Sequence, residues 1–148
     1  VKTYFEGNTL VLKKISVELP RTLKLDLNKT PDIAQTIAVT CLGLGIGCHL
    51  TGLHTLKIKE TDRLMALKNE IQKFGAEVFV DEVSLSFSKV KNLKNEVLVK
   101  TYNDHRMAMA FAALGIKTEV CIENPEVVSK SYPRFWEHLE ILNFHLQK

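Results

Sequence analysis

The chain repeats itself, and this constrains its fold more than any other feature. When Asp32 is laid on Asp104, Ile37-Ala38 falls on Met109-Ala110 and Gly43 on Gly115. A strand-like run and a Lys-Thr pair, Lys29-Thr30 or Lys100-Thr101, lead into each of these two helical stretches. A short strand and a second helix follow each, and a one-residue slip lays Lys59 on Lys130 and Arg63 on Arg134. The unit reads helix, strand, helix, two-strand hairpin, about 70 residues long, and such units bury their apolar faces only by stacking. The predicted class is therefore α+β: repeated α-β-α-β-β units, with buried helices packed against a sheet of mixed strands. On this division, residues 1–28 are the end of a preceding repeat and a lead-in strand. Residues 29–100 are one full repeat, and 101–148 an incomplete last one. The chain opens on Val1-Lys2 inside a strand pattern, without Met, and is expected to be cut from a longer protein.

The element boundaries follow from local signals. Residues 2–13 carry two β-rich runs around Gly7-Asn8, a hairpin signature. LKLDL at 23–27 alternates as a strand does. Thr30-Pro31 reads as an N-cap followed by proline at the first helical position. The helix behind it is apolar on most faces and should be deeply buried. CHLTGL is a short strand. In ETDRLMALKNEIQKFGAEV, Leu64, Leu67, Ile71 and Phe74 share one face of an amphipathic helix that Thr61 or Asp62 caps and Gly75 ends. AEVFV and VSLSF form a hairpin across Asp81-Glu82, and EVLVK and TEVCIE are strands. Ser131 is expected to cap a last helix, with Trp136, Leu139 and Leu142 in the core.

Composition narrows the function classes. The chain is 45% hydrophobic and 25% charged, as a globular domain is, and its net charge of +3 is too small to argue for nucleic acid or an anionic membrane. No apolar run reaches the length of a membrane span. Cys41, Cys48 and Cys121 are odd in number and lack metal-ligand spacing, so they read as buried free thiols of a cytoplasmic protein.

The charged residues are more informative. Asp32, the group Lys59-Glu60-Asp62-Arg63, the group Asp104-His105-Arg106, and Lys130 all stand at or just before an expected helix start. Helix N-termini offer unpaired N–H groups and the positive end of the dipole. With Lys59, Arg63, Arg106 and Lys130 added, they make a site for phosphate or carboxylate. Asp32 and Glu60 in that field stay ionised and can handle protons. Any one of these residues alone is better read as a cap or as part of a solvated face. The recurrence at four helix starts is what favours a site.

KIKETDRLMALKNEIQKFGAEV at 57–78 and TYNDHRMAMAFAALG at 101–115 closely resemble two C-terminal signatures of the 5-enolpyruvylshikimate-3-phosphate synthase family. TPDIAQTIAV and VVSKSYPRFWEHLEIL look like that family's too, so the resemblance runs from about residue 20 to residue 143. It implies an enolpyruvate-transferase-like fold: two domains built from six copies of one unit, with the active site between them. This chain would be the C-terminal portion, and the remainder of the same enzyme, with its N-terminal domain, the partner. The implied reaction moves the enolpyruvyl group of phosphoenolpyruvate to the 5-hydroxyl of shikimate 3-phosphate, in aromatic amino acid biosynthesis. It passes through a tetrahedral intermediate, releases phosphate, and needs no cofactor and no metal.

By resemblance, Asp32 faces the shikimate hydroxyls and is the candidate base, and Glu60 is the candidate proton shuttle at the methylene carbon. Lys59 serves the shikimate phosphate, and Arg63, Arg106 and Lys130 grip phosphoenolpyruvate. Asp104 and His105 support the site. Thr55-Leu56 departs from the Asn-Trp pair of many bacterial members. Two alternatives stay open: UDP-N-acetylglucosamine enolpyruvyl transferase, and a non-catalytic domain binding RNA ends on a related repeat fold. The first reading involves neither nucleic acid nor a membrane.

Overall fold

The computed structural model describes residues 1–147. Strands β1 (Lys2–Glu6) and β2 (Thr9–Lys13) pair antiparallel across Gly7-Asn8, as their sequence requires. This hairpin pairs with no other strand among the described residues. It leaves Phe5, Leu10 and Leu12 exposed.

The rest is built on two parallel crossovers. In the first, β3 (Thr22–Asp26) leads through a 3-10 turn at Pro31–Ile33 into α1 (Ala34–Leu44) and back to β4 (Gly47–Thr51), which lies parallel to β3. Parallel neighbours need a long connection of this kind. The apolar composition of α1 buries Ala34, Ala38, Val39, Cys41 and Leu42. Gly45, at φ 67, ends the helix in the left-handed region that favours glycine. Beyond β4, a Cβ on Gly52 would fall 2.4 Å from the Asn28 backbone nitrogen, so only glycine lets the chain pass there.

A second 3-10 segment, His54–Ile58, precedes α2 (Arg63–Lys73). Asp62 caps α2 by accepting from the Met65 N–H at 3.0 Å. The stripe Leu64, Leu67, Ile71 and Phe74 is fully buried, and each such side chain contributes about 1.5–3 kcal/mol of transfer free energy. The hairpin β5 (Val78–Val80) and β6 (Leu85–Phe87) then completes a mixed sheet of order β3-β4-β6-β5.

The second crossover runs from β7 (Val97–Val99) through α3 (His105–Ala112) to the parallel β8 (Val120–Ile122). A 3-10 segment at Pro125–Lys130 and α4 (Phe135–Ile141) follow. The shift that lays Asp32 on Asp104 also lays Arg63, the first residue of α2, on Phe135, the first of α4. The element boundaries thus match without the one-residue slip expected from sequence. One core joins the two crossovers, with Phe74, at the C-cap of α2, stacked on Phe111 of α3 at 5.9 Å.

Several local expectations are corrected. Thr30 makes no side-chain cap, and Pro31 opens a 3-10 turn rather than the α-helix itself. Ser131 does not cap α4, which starts at Phe135. Pro133 disfavours helical backbone at Tyr132 and so blocks an earlier start. The helix is then too short to bury Leu142, which is 68% exposed, while Trp136 and Leu139 are half-buried. Cys41 and Cys48 are buried thiols, but Cys121 is exposed. It faces outward from β8 beside its partner Leu98, and nothing among the described residues covers that face. No helix among the described residues is long and apolar enough to cross a membrane.

Candidate active site

Arg63 is the first residue of an amphipathic helix, a position that ordinarily faces solvent. It is 2% exposed. Three carboxylates from three segments account for this. Nε donates to Asp104 Oδ2 at 2.6 Å, Nη1 to Asp32 Oδ1 at 3.0 Å, and Nη2 to Glu60 Oε2 at 2.5 Å. A planar guanidinium with five donors is the side chain suited to such a fan. Asp104 is fully buried, and its other oxygen caps α3 by accepting from the Arg106 N–H at 2.9 Å. Burying this pair costs several kcal/mol of desolvation per ion, and further hydrogen bonds to both partners offset it.

The two crossovers bring these groups together. Asp32 precedes α1, Asp104 precedes α3, and α1 packs on α3. Arg106 ties the two by donating from Nη1 to the Asp32 carbonyl at 3.0 Å. Lys59 Nζ stands 3.4 Å from Asp32 Oδ1, and Arg106 Nη2 stands 4.0 Å from Oδ2. Burial raises the Asp32 carboxyl, but the Lys59 hydrogen bond and the charges of Lys59, Arg106 and Arg63 outweigh it and hold it below its ordinary value. Asp32, Glu60, Lys59 and Arg106 remain a third or more exposed, so the cluster has an open side.

The structure thus gathers Asp32, Lys59, Glu60, Arg63, Asp104, His105 and Arg106 in one place. It departs from the sequence reading at two cations. Arg63 is not presented to solvent, because its donors are taken by carboxylates. Lys130 does not stand at an α-helix start. It ends the Pro125–Lys130 segment and reaches the group by donating to the Asn103 carbonyl at 3.3 Å. His105 Nδ1 lies 3.9 Å from Asp104 Oδ1 and is buried without a hydrogen-bond partner. Glu60, Asp104 and His105 bring ligating atoms within 4.8 Å of one another. The Arg63 guanidinium already binds the two carboxylates, however, and supplies the positive charge an ion would bring.

Residues 6–139 match the family model described as EPSP synthase (3-phosphoshikimate 1-carboxyvinyltransferase). The chain belongs to the EPSP synthase family. A 3-phosphoshikimate 1-carboxyvinyltransferase of Bacteroides fragilis is 40% identical over 150 residues, covering 99% of this chain and 36% of the relative. One of Neisseria meningitidis is 34% identical, over 79% of this chain and 27% of its own length. The chain thus spans about a third of these curated relatives. A solved EPSP synthase of Acinetobacter baumannii superposes with a TM-score of 0.68 at 22% identity, over 75% of this chain and 27% of that one, and shows the fold.

Sequence reasoning missed Glu70 and Tyr102. Glu70 is fully buried and accepts from the Tyr102 hydroxyl at 2.8 Å. On the helical pattern it reads as an exposed partner of Lys73 three residues on, and only its bonds to Lys100 and Tyr102, distant in the chain, reveal it.

Proposed function

We propose that this chain is part of an enzyme that transfers the enolpyruvyl group of phosphoenolpyruvate to the 5-hydroxyl of shikimate 3-phosphate, releasing phosphate. The observation that carries the reading is the open-sided cluster around Arg63. There, Lys59 and Arg106 reach a carboxylate whose pairing with them is loose enough to exchange for a bound anion. The family membership and the names of the curated relatives agree with it. They favour it over transfer to a UDP-sugar and over binding of RNA ends.

In this reading Arg106, Lys59 and Lys130 receive the phosphate and carboxylate groups and offset the repulsion between two anionic substrates. Arg63 acts from below. It holds Asp32, Glu60 and Asp104 in place and meets phosphoenolpyruvate only where Glu60 or Asp32 gives way. Asp32 is a weak base while Lys59 and Arg106 stand beside it. Substrate anions that draw those cations away raise its basicity when the hydroxyl proton must leave. Glu60 delivers a proton to the methylene carbon in addition and removes it in elimination. Asp104 and His105 shape the site. The remainder of the same enzyme would supply the facing wall, which excludes water and completes the anion clamp.

The experiment uses the full-length protein and measures phosphate release with both substrates, with UDP-N-acetylglucosamine as the competing acceptor. Glu60→Gln keeps the side-chain shape and removes the titrating proton, so turnover should fall with little change in substrate affinity. Release with the UDP-sugar and none with shikimate 3-phosphate would overturn the reading.

A further inference from the structure

Glu70 lies two helical turns beyond Arg63 on α2 and is as deeply buried as any residue in the chain. A carboxylate in such a place must be satisfied by hydrogen bonds. Oε2 accepts from Lys73 Nζ at 2.5 Å and from the Lys100 backbone N–H at 3.0 Å, and Oε1 accepts from the Tyr102 hydroxyl at 2.8 Å. Lys73 also donates to the Leu98 carbonyl at 2.8 Å. From its place on α2, Glu70 thus grips the end of β7 and the turn that follows it.

That turn is unusual. The Asp104 N–H donates to the Thr101 carbonyl at 2.9 Å, while Tyr102 and Asn103 take φ values of 54° and 57°. Two successive left-handed residues closed by this bond have the φ signature of a type I′ turn. Asparagine tolerates that region, but a bulky tyrosine does so only where its surroundings enforce it. The turn sets the direction in which the chain enters α3. It therefore sets where Asp104, the α3 cap, meets Arg63, and where Arg106 leaves the helix.

We propose that Glu70 and Tyr102 are positioning residues: together they clamp the turn at 101–104 and thereby fix Asp104, Arg63 and Arg106 relative to one another. Neither touches the exposed side of the cluster. The hydroxyl of Tyr102 is the working group, because it converts a disfavoured backbone conformation into one held by a buried acceptor. Burial and the bond to Glu70 raise the Tyr102 hydroxyl pKa above its ordinary value, so the hydroxyl keeps its proton and remains a donor. The consequence for catalysis rests on the proposed function, but the clamp does not.

The test uses the full-length protein and Tyr102→Phe, which removes one oxygen and leaves the ring. Exchange of the buried Arg63 Nε–H with solvent is followed by NMR, with the α2 amides of Leu67 and Ile71 as internal controls. Loss of one buried hydrogen bond should speed Arg63 exchange by about tenfold with the controls unchanged. In the same protein the KM for phosphoenolpyruvate should rise about five- to tenfold, and kcat should change by less than about threefold. Glu70→Gln should act in the same direction. Unchanged Arg63 exchange in Tyr102→Phe, with only a lowered melting temperature, would reduce the pair to a core contact and overturn the proposal. If the wild-type protein turns over neither substrate, the functional reading fails, and the exchange measurement still decides the clamp.

Discussion

Asp104→Asn is the substitution for which the structure gives the sharpest magnitude. Asp104 Oδ2 accepts the Arg63 Nε–H at 2.6 Å, and Oδ1 accepts the Arg106 N–H at 2.9 Å. Both oxygens face donors, so an asparagine must turn its NH₂ toward one of them. If it faces Arg63, a charge-assisted bond worth about 1.5–3 kcal/mol is lost and two donors are opposed. If it faces Arg106, the α3 cap is lost instead, at about 1 kcal/mol, and the remaining bond to Arg63 loses its charge. Breaking a buried pair by altering one partner costs about 3–5 kcal/mol, but Asp32 and Glu60 still hold Arg63, which puts the expectation near the lower end, about 3 kcal/mol. Exchange of the α3 amides of Ala108 and Ala110 in the full-length protein measures the local opening free energy and should accelerate on the order of a hundredfold. Asp32→Asn alters a half-exposed partner of the same arginine and should cost no more than about 1 kcal/mol. An Asp32→Asn effect equal to or larger than that of Asp104→Asn would refute the view that burial ranks the three carboxylates.

Arg106→Ala should weaken phosphoenolpyruvate binding by roughly ten- to a hundredfold, the worth of one charge-assisted hydrogen bond. It should leave shikimate 3-phosphate affinity nearly unchanged, as titration with each substrate will show. His105→Gln should retain substantial turnover, because the proposed proton transfers fall to Asp32 and Glu60, and His105, the first residue of α3, only shapes the site. A single-turnover rate as low as that of Glu60→Gln would make His105 the proton carrier instead. The Asp32 carboxyl is held below its ordinary 3.8 in the folded protein. Its contribution to stability is therefore full above that value and lost as pH falls through the depressed one. Asp32→Asn should flatten the stability curve below about pH 4 and leave it parallel to wild type above, as urea titrations across pH will test.

What could be read from sequence was what depends on neighbours along the chain. The α2 stripe and its Asp62 cap are visible in the 3.6-residue period, and the β1–β2 and β5–β6 hairpins in their turn residues. The failures have two causes, one local signal overriding another and contacts from segments distant in the chain. Pro133 outweighed the capping signal of Ser131. The short α4 left Leu142 outside the core, and the bare outer face of the β7–β8 pair exposed Cys121. Arg63 looked like a solvent-facing cation because helical spacing carries no information about Asp32 or Asp104, which approach it from other segments. Glu70 was hidden in the same way, behind an ordinary pairing with Lys73.

The packing of two similar crossovers explains why one arginine can hold the site together. Equivalent positions in the two crossovers, Asp32 before α1 and Asp104 before α3, deliver a carboxylate to the same place because α1 packs on α3. A single guanidinium between them hydrogen-bonds to both, and Lys59 and Arg106 supply further positive charge on the exposed side. The position equivalent to Arg63 in the later repeat is Phe135, which packs edge-on against Trp136 and Tyr132 rather than meeting a carboxylate. The two crossovers thus supply the paired carboxylates, and Arg63, without a charged counterpart at Phe135, makes the site asymmetric. That asymmetry leaves Asp32 half-exposed and loosely paired with Lys59 and Arg106, while Asp104 is buried and fixed. On the proposed function the two aspartates divide the work, Asp32 exchanging partners with an anion and Asp104 holding the frame. The same division predicts that a charge-restoring Asp104→Glu will not rescue the site. A longer side chain cannot keep both the 2.6 Å bond to Arg63 and the cap on α3 within a fully buried space. An Asp104→Glu protein with α3 exchange rates and phosphoenolpyruvate affinity equal to wild type would show that charge alone, and not this geometry, sustains the frame.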